Sequence, residues 1–282
     1  MLITTIVFSK DRPLQLDLCL SSIRDLFPQC SKTIVIHNNA EEFSAANSRL
    51  CVEHKNVDFW PQFPCLFKDI QVAIESSETD YICFMTDDCF VYDEIFFEEG
   101  ILDALFSHPD ISCFSLRLGL NIDTRQIGDG YYQDKPNTTF AYNKYLLCSK
   151  TANFYGSYWS YSLSVDGHIF RKSDILEMVN ELVYLDKIKK WKSTPNEFEG
   201  ALQRFWPVTP NFIAFFDQSK IVNSPNNRVQ NSHNNRSGDV YDYNKYRLLN
   251  LYMSGKRITR ELLDFSNVRC PHTEIDLLKG LK

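Results

Sequence analysis

Two periodicities alternate in the opening stretch of the chain, and that alternation restricts its fold more than any other feature. "LITTIVF" (2–8) is rich in β-branched residues and ends in the polar turn "SKDRP". Pro13 then opens a segment with Leu16, Leu20, Ile23 and Phe27 at helical spacing, so a strand gives way to a helix. "TIVIHNN" (33–39) repeats the strand signal and runs into a polar loop, and "VDFW" (57–60) reads as a short third strand. Leu66, Ile70 and Ile74 mark another helix, which leads into a fourth strand at 81–85. Strands separated by helices predict an α/β fold with a mostly parallel sheet flanked by helices. In such a sheet the crevice for ligands lies at the carboxyl ends of the strands. The polar residues after strand one (Ser9, Lys10, Asp11, Arg12), strand two (His37, Asn38, Asn39) and strand four (Thr86, Asp87, Asp88) should therefore share one edge.

The remainder changes character. A helix near 95–106 and a strand at 111–118 are followed by 119–156, rich in Asn, Asp, Gly and Tyr, which reads as loop and irregular β structure. In 158–170, Trp159, Tyr161, Leu163 and Val165 alternate with Ser160, Ser162, Ser164 and Asp166, the pattern of a half-buried strand. Ser173 is expected to cap a helix carrying Ile175, Leu176, Val179 and Leu182. Thr194, Pro195 and Glu197 form a capping box with proline at the first helical position. An Asn-rich loop (222–238) precedes a helical tail.

Composition narrows the functional classes. With 282 residues, 44% hydrophobic and 23% charged, the chain can bury one sizeable core, or one core with a satellite lobe. A net charge of -6 argues against a broadly basic nucleic-acid surface, so nucleic acid is not the expected partner. The nine cysteines are odd in number, scattered and free of any C-x-x-C pair. They suggest neither a disulfide framework nor a zinc site, and a reducing cytoplasm is the expected location. "MLITTIVF" has no cationic lead or cleavage site, and no apolar run approaches the roughly 20 residues that span a bilayer. Membrane contact is expected to be peripheral at most.

The stretch "DYICFMTDDCFVY" (80–92) carries the chemistry. An apolar strand ends in two adjacent carboxylates, Asp87 and Asp88. Such a pair suits a hard divalent cation that prefers oxygen ligands and can bridge the phosphates of a nucleotide. The plainer alternative is that the two aspartates turn the chain and cap the helix after it.

"ITTIVFSKDRP" followed by a helix and then "DYICFMTDD" resembles the nucleotide-binding half of GT-A glycosyltransferases, particularly glycosyltransferase family 2. "FSLRLG", "DGHIFR", "TPNEFEGAL", "VNSPNNRVQ" and "PHTEI" also look like segments of related bacterial glycosyltransferases, so the likeness covers most of the chain. The resemblance implies a GT-A-like domain with 1–118 as the nucleotide-sugar-binding half, 119–240 as the acceptor-side half and 241–282 as a C-terminal helical tail. It also implies a nucleotide-diphosphate sugar donor, a Mn²⁺ or Mg²⁺ ion, and inverting transfer to a hydroxyl of a saccharide acceptor, in surface polysaccharide or lipopolysaccharide assembly.

Carried over residue by residue, the resemblance makes Asp88 the metal ligand, with Asp87 nearer the ribose or the metal's outer shell. The chain departs from the family's D-x-D in reading T-D-D, with Thr86 first. Phe8, Ser9, Arg12 and Asn38 become candidates for the base and ribose, although the usual acidic residue at the end of strand two is replaced by Asn38 and Asn39. Lys68 and Asp69 open the helix before the motif and could reach the nucleotide. An inverting transfer needs a general base for the acceptor hydroxyl. In "NEFEGALQ", Glu199 stands three residues before Leu202, as the family's base does, whereas Glu197 is explained by the cap.

Asp166 and His168 of "VDGHIFR" are acceptor-pocket candidates. His233 is a candidate for closing on the diphosphate or ligating metal, and Arg228 and Arg236 for neutralising phosphate when the loop closes. His272 reads more simply as a structural histidine, with Glu274 as a local partner. A nucleotidyltransferase, a sugar-nucleotide-binding module without catalysis and a transferase acting on modified DNA stay open. The first would be expected to carry a Gly-rich phosphate loop after strand one, and "SKDRPLQL" has no glycine.

Overall fold

The structure, a computed structural model, describes residues 2–124, 135–136, 139–142, 145–153, 157–191, 193–230 and 236–282. The first half is the expected alternation: β1 Ile3–Ser9, α1 Pro13–Leu26, β2 Cys30–His37, α2 Ser44–Glu53, β3 Val57–Pro61, α3 Leu66–Glu75 and β4 Tyr81–Thr86. A short strand, β5 Cys89–Val91, follows the acidic pair, and then come α4 Ile101–Phe106 and β6 Ile111–Ser115. The second half holds β7 Thr139–Tyr142, β8 Tyr145–Ser149, β9 His168–Arg171, α5 Lys172–Lys189, α6 Pro195–Leu202, β10 Phe212–Phe216, β11 Ile221–Asn223 and α7 Lys245–Met253.

Nine strands form one sheet in the order β3-β2-β1-β4-β9-β6-β10-β8-β7, and β11 pairs with β5 in a separate ribbon. β1 runs parallel to both β2 and β4, in the register Phe8 to Ile36 and Phe8 to Thr86. β9 is antiparallel to β4 and β6, and β8 is antiparallel to β10 and β7, so the remaining strands all point one way. This is the mostly parallel α/β arrangement expected, with two reversed strands, both from the second half of the chain. The helices form two groups: α1, α2 and α7 pack together, and α3, α5 and α6 pack together.

Several local expectations need correcting. The segment 158–170 is no continuous strand: a 3-10 turn at Tyr158–Ser160 and irregular chain precede β9. Its alternation does not mark two faces: Ser160, Ser162 and Ser164 are buried along with Trp159, Leu163 and Val165, Ser160 donating to the Ser157 carbonyl and Ser164 to Glu199. The helix expected from residue 95 begins only at Ile101, after Gly100 at φ 75°. Ser173 does not cap α5; Arg171 is the capping residue, without a side-chain bond. Thr194 does cap α6, its Oγ1 accepting the Glu197 N–H at 3.2 Å.

β4 is buried from Tyr81 to Met85, and burying such a side chain is worth about 1.5–3 kcal/mol. On one side Phe84 meets Phe8 of β1 at 5.9 Å and Phe198 of α6 at 5.6 Å. Phe67 of α3 closes on Phe198 at 5.5 Å. That aromatic cluster fastens α6 to β1 and β4 and so determines where the next residue, Glu199, stands.

All nine cysteines are free thiols. Among the described residues no helix is long and apolar enough to cross a membrane.

Candidate active site

A cleft of about 620 Å³ opens at the carboxyl ends of β1, β2 and β4, a size in the range that holds small-molecule ligands. Sequence reasoning placed the polar turns after these strands on one edge, and Ser9, Lys10, Arg12, Asn38, Asp87 and Asp88 all line it.

The loop after β1 is tightly organised. Asp11 takes positive φ (54°) and is buried; its carboxylate accepts the Ala40 N–H at 2.8 Å and the Lys245 ammonium at 2.8 Å. The turn thereby joins β1, β2 and α7. Asp87 is clamped by the same loop, one oxygen accepting from Ser9 Oγ and from the Lys10 N–H, each at 2.9 Å. Arg12 Nη1 bridges Asp87 Oδ1 at 2.9 Å and Asp88 Oδ2 at 2.7 Å. The other Asp88 oxygen accepts from Asn223 Nδ2 at 2.9 Å. Arg12 is also held by Asn227, Nε donating to its Oδ1 at 2.8 Å and Nη2 to its carbonyl.

Burial opposes the charge of Arg12, but Asp88 and Asp87 outweigh it, so the guanidinium holds its proton more tightly than usual. Burial pushes the Asp87 carboxyl up to about 6, the Asp88 charge adding to the effect and Arg12 opposing it. A divalent ion does not fit this donor set as arranged: every oxygen of both carboxylates already accepts a hydrogen bond, and a guanidinium lies between them. Among the described residues no group of three or more His, Cys, Asp or Glu side chains is disposed to hold a metal.

The opposite wall is built from the second half of the chain. Glu199 Oε1 accepts from Ser164 Oγ at 2.9 Å and from the Val165 N–H at 3.1 Å, and Tyr161 hydrogen-bonds to the same carboxyl. Burial raises its pKa above the ordinary carboxylate value; Asp166 adds to this and Arg117 opposes it. Asp166 stands nearby with the contrary shift. Burial works against its charge, but the hydrogen bond and charge of His272, with Arg117 and Thr86, hold it below the usual range. His272 Nε2 lies 3.2 Å from Asp166 Oδ2, and its Nδ1 pairs with the Tyr158 hydroxyl at 2.9 Å. Arg117 is buried 3.5 Å from Asp166 and stacks over the rings of Tyr158 and Tyr161.

Not every candidate arrives in the cleft. Phe8 reaches its wall but is spent in the aromatic cluster with Phe84 and Phe198. Lys68 and Asp69 lie outside it: Lys68 bonds Gln71 at 2.7 Å, and Asp69 accepts the Phe63 N–H at 2.8 Å, because the first turn of α3 faces the 62–64 loop. His168 is fully buried in the middle of the sheet, its Nδ1 on the Ser162 carbonyl at 3.0 Å, and does not line the cleft. Arg228 and Arg236 do line it, whereas His233 lies outside the described residues.

Arg117, Tyr158, Asn223 and Asn227 line the cleft without a signal in the sequence, and His272 joins them where a structural histidine is expected. Glu274 is no partner of His272; its carboxylate accepts three consecutive N–H groups at 239–241. His272 enters the site because the C-terminal segment pairs with β11, the Asn223 N–H donating to the Pro271 carbonyl at 2.9 Å. Only the odd cluster "CPHTEI" hinted at it.

No protein-family model matches the chain, and no curated protein does. Among solved structures it aligns with residues 1–349 of S. aureus TarS in complex with UDP, at a TM-score of 0.48 and 15% identity, over 80% of this chain and 62% of that one. TarS 1–349 in complex with UDP-GlcNAc aligns at 0.45 and 14% identity, over 78% and 58%. The mannosyltransferase PcManGT from Pyrobaculum calidifontis, in complex with GDP-Man and Mn²⁺, aligns at 0.31 and 11% identity, over 40% and 34%. The chain thus spans less than two thirds of the length of each of these structures.

Proposed function

We propose that the chain is a glycosyltransferase that moves a sugar from a nucleotide-diphosphate sugar to a hydroxyl of a saccharide acceptor with inversion. The observation that carries this reading is the division of one cleft into two charged walls. One, at the ends of β1 and β4, holds Arg12, Asp87 and Asp88; the other holds Glu199, whose carboxyl is bonded to Ser164 and Val165 and not to that group. A nucleotidyltransferase is less well supported, since the loop after β1 has no glycine and its N–H groups serve Asp87 and Asn39.

In the proposed reaction the acceptor oxygen attacks the anomeric carbon while the bond from that carbon to the diphosphate oxygen breaks. The electron pair leaves with the diphosphate, and the acceptor proton passes to Glu199. Burial keeps the Glu199 carboxyl more basic than an ordinary glutamate, which suits proton removal near neutral pH. Asp166 stays ionised beside His272 and Arg117 and orients the wall instead of taking the proton. Tyr158 and Tyr161 offer ring faces to an acceptor sugar.

The test is a thermal-shift panel of UDP-, GDP-, dTDP- and CMP-sugars, followed by release of the nucleotide on adding acceptor saccharides. One donor at 100 times its Kd should stabilise the fold by about 2.7 kcal/mol. A flat response to every donor would sink the proposal.

A further inference from the structure

The chain's acidic pair is where the sequence leads one to expect a divalent cation, and Arg12 occupies the space between the two carboxylates. We infer that Arg12 is the resident cation of the Asp87–Asp88 pair, and that nucleoside diphosphates bind in this cleft without divalent metal. The inference rests on the glycosyltransferase reading and specifies how that site meets its donor.

The argument is one of valence and geometry. An ion such as Mg²⁺ demands six oxygen ligands in near-octahedral order at about 2.0–2.1 Å. Of the four oxygens on the pair, one Asp87 oxygen accepts from Ser9 and the Lys10 N–H, one Asp88 oxygen accepts from Asn223, and the other two share Arg12 Nη1. An entering ion would have to evict a side chain whose remaining nitrogens are fastened to Asn227. Asn223 Nδ2 is itself held by Thr86 Oγ1 at 3.0 Å as well as by Asp88, so it keeps its donor face toward the pair.

The guanidinium does for the two carboxylates what the ion would do: it lets like charges stand side by side. Two carboxylates and one guanidinium leave one negative charge. With Arg117 held against Asp166, the phosphates are met by Lys10, Arg228 and Arg236, of which the arginines match phosphate oxygens with a planar fork.

Calorimetric titration of the full chain with UDP, GDP, dTDP and CDP, in EDTA and again in Mn²⁺, tests this directly. One nucleotide should bind with the same Kd in both buffers, within about twofold. Arg12→Met should lose about tenfold or more in EDTA and recover in Mn²⁺, because the pair is then open to the ion. Arg12→Lys retains a cation and should keep metal-free binding, and it serves if the methionine variant does not fold. Wild-type affinity that rises about tenfold or more with Mn²⁺ overturns the inference and leaves the glycosyltransferase reading standing. Undiminished binding by Arg12→Met in EDTA removes Arg12 from the role. Failure of every nucleotide to bind folded wild type in either buffer overturns that reading, and this inference with it.

Discussion

The two walls of the cleft treat their carboxylates in opposite ways. On the wall that the proposed function assigns to the donor, Asp87 and Asp88 are packed into a network in which every oxygen is hydrogen-bonded and a guanidinium offsets one of the two charges. On the acceptor wall Glu199 and Asp166 are driven apart: burial raises the first, while His272 and Arg117 hold down the second. Neighbouring carboxyls whose proton affinities diverge are the usual mark of acid–base assignment. Under the proposed function the first wall supplies rigidity and charge balance beside the donor, and the second supplies the group that takes the acceptor's proton. Substitutions on the first should register in stability and nucleotide affinity, and on the second chiefly in turnover.

Glu199→Gln carries the largest expected effect. It removes the base while keeping the acceptor for Ser164 and Val165, so turnover should fall by about 10²–10⁴. Donor affinity and melting temperature should stay near wild type. Turnover within a few-fold of wild type would erase the contrast, because the acceptor wall would then be structural too. In the wild type the acid limb of kcat should lie above the usual carboxylate range, since Glu199 must lose its proton to act and its pKa is raised.

Asp87→Ala comes next and probes the other wall. It leaves Ser9 and the Lys10 N–H without their acceptor and Arg12 with only one carboxylate in a nearly closed site. Breaking a buried pair by removing one partner costs about 3–5 kcal/mol, readable by urea unfolding. A loss below about 1 kcal/mol would place this network with exposed ion pairs and remove its claim to rigidity.

The same division governs how far the contrast could be read from the residues. The donor wall is made of short turns after strands that the apolar runs announce, so Ser9, Arg12, Asn38, Asp87 and Asp88 were all placed on one edge by periodicity alone. What periodicity could not show was that Arg12 would fold back onto the aspartates, since that depends on side-chain torsions and on Asn227, more than two hundred residues away. The acceptor wall was legible through Asp166 and through Glu199, whose helix start is set by Thr194 and Pro195 and whose neighbour Phe198 fixes its face. The rest of that wall comes from the irregular 157–166 segment and from a C-terminal strand-like pairing. Neither has a repeat, and their serines and tyrosines mimic an alternating strand. Lys68 and His168 went astray for the converse reason: each sits beside the right motif but points into solvent or into the sheet.

A smaller effect separates the acceptor wall from the sheet beneath it. His168 lies under Asp166 in β9, and burial, with Arg117, lowers its pKa to about 3. Below about pH 6.5 the unfolded chain protonates this histidine while the folded protein does not. The unfolded state then binds more protons, so folded stability falls as pH drops from about 6.5 toward about 3, by up to about 1.4 kcal/mol per pH unit from this group. Replacing the group with the non-titrating His168→Gln should flatten the slope in that window relative to wild type, whatever it does to the absolute value. An unchanged slope would mean that His168 gains its proton in the fold as easily as in the open chain.

The smallest effect tests whether Glu199 is positioned by its helix or by its packing. Thr194→Ala removes the α6 cap, which should cost about 1 kcal/mol of stability. Phe198 would still hold the helix to Phe8, Phe67 and Phe84, and Ser164 and Val165 would still hold the Glu199 carboxylate. If packing governs, kcat should change by less than about threefold, under 1 kcal/mol in the barrier. A drop in kcat much larger than the loss of stability would mean that the first turn of α6 sets the geometry of the base. The acceptor wall would then share the dependence on backbone order that distinguishes the donor wall.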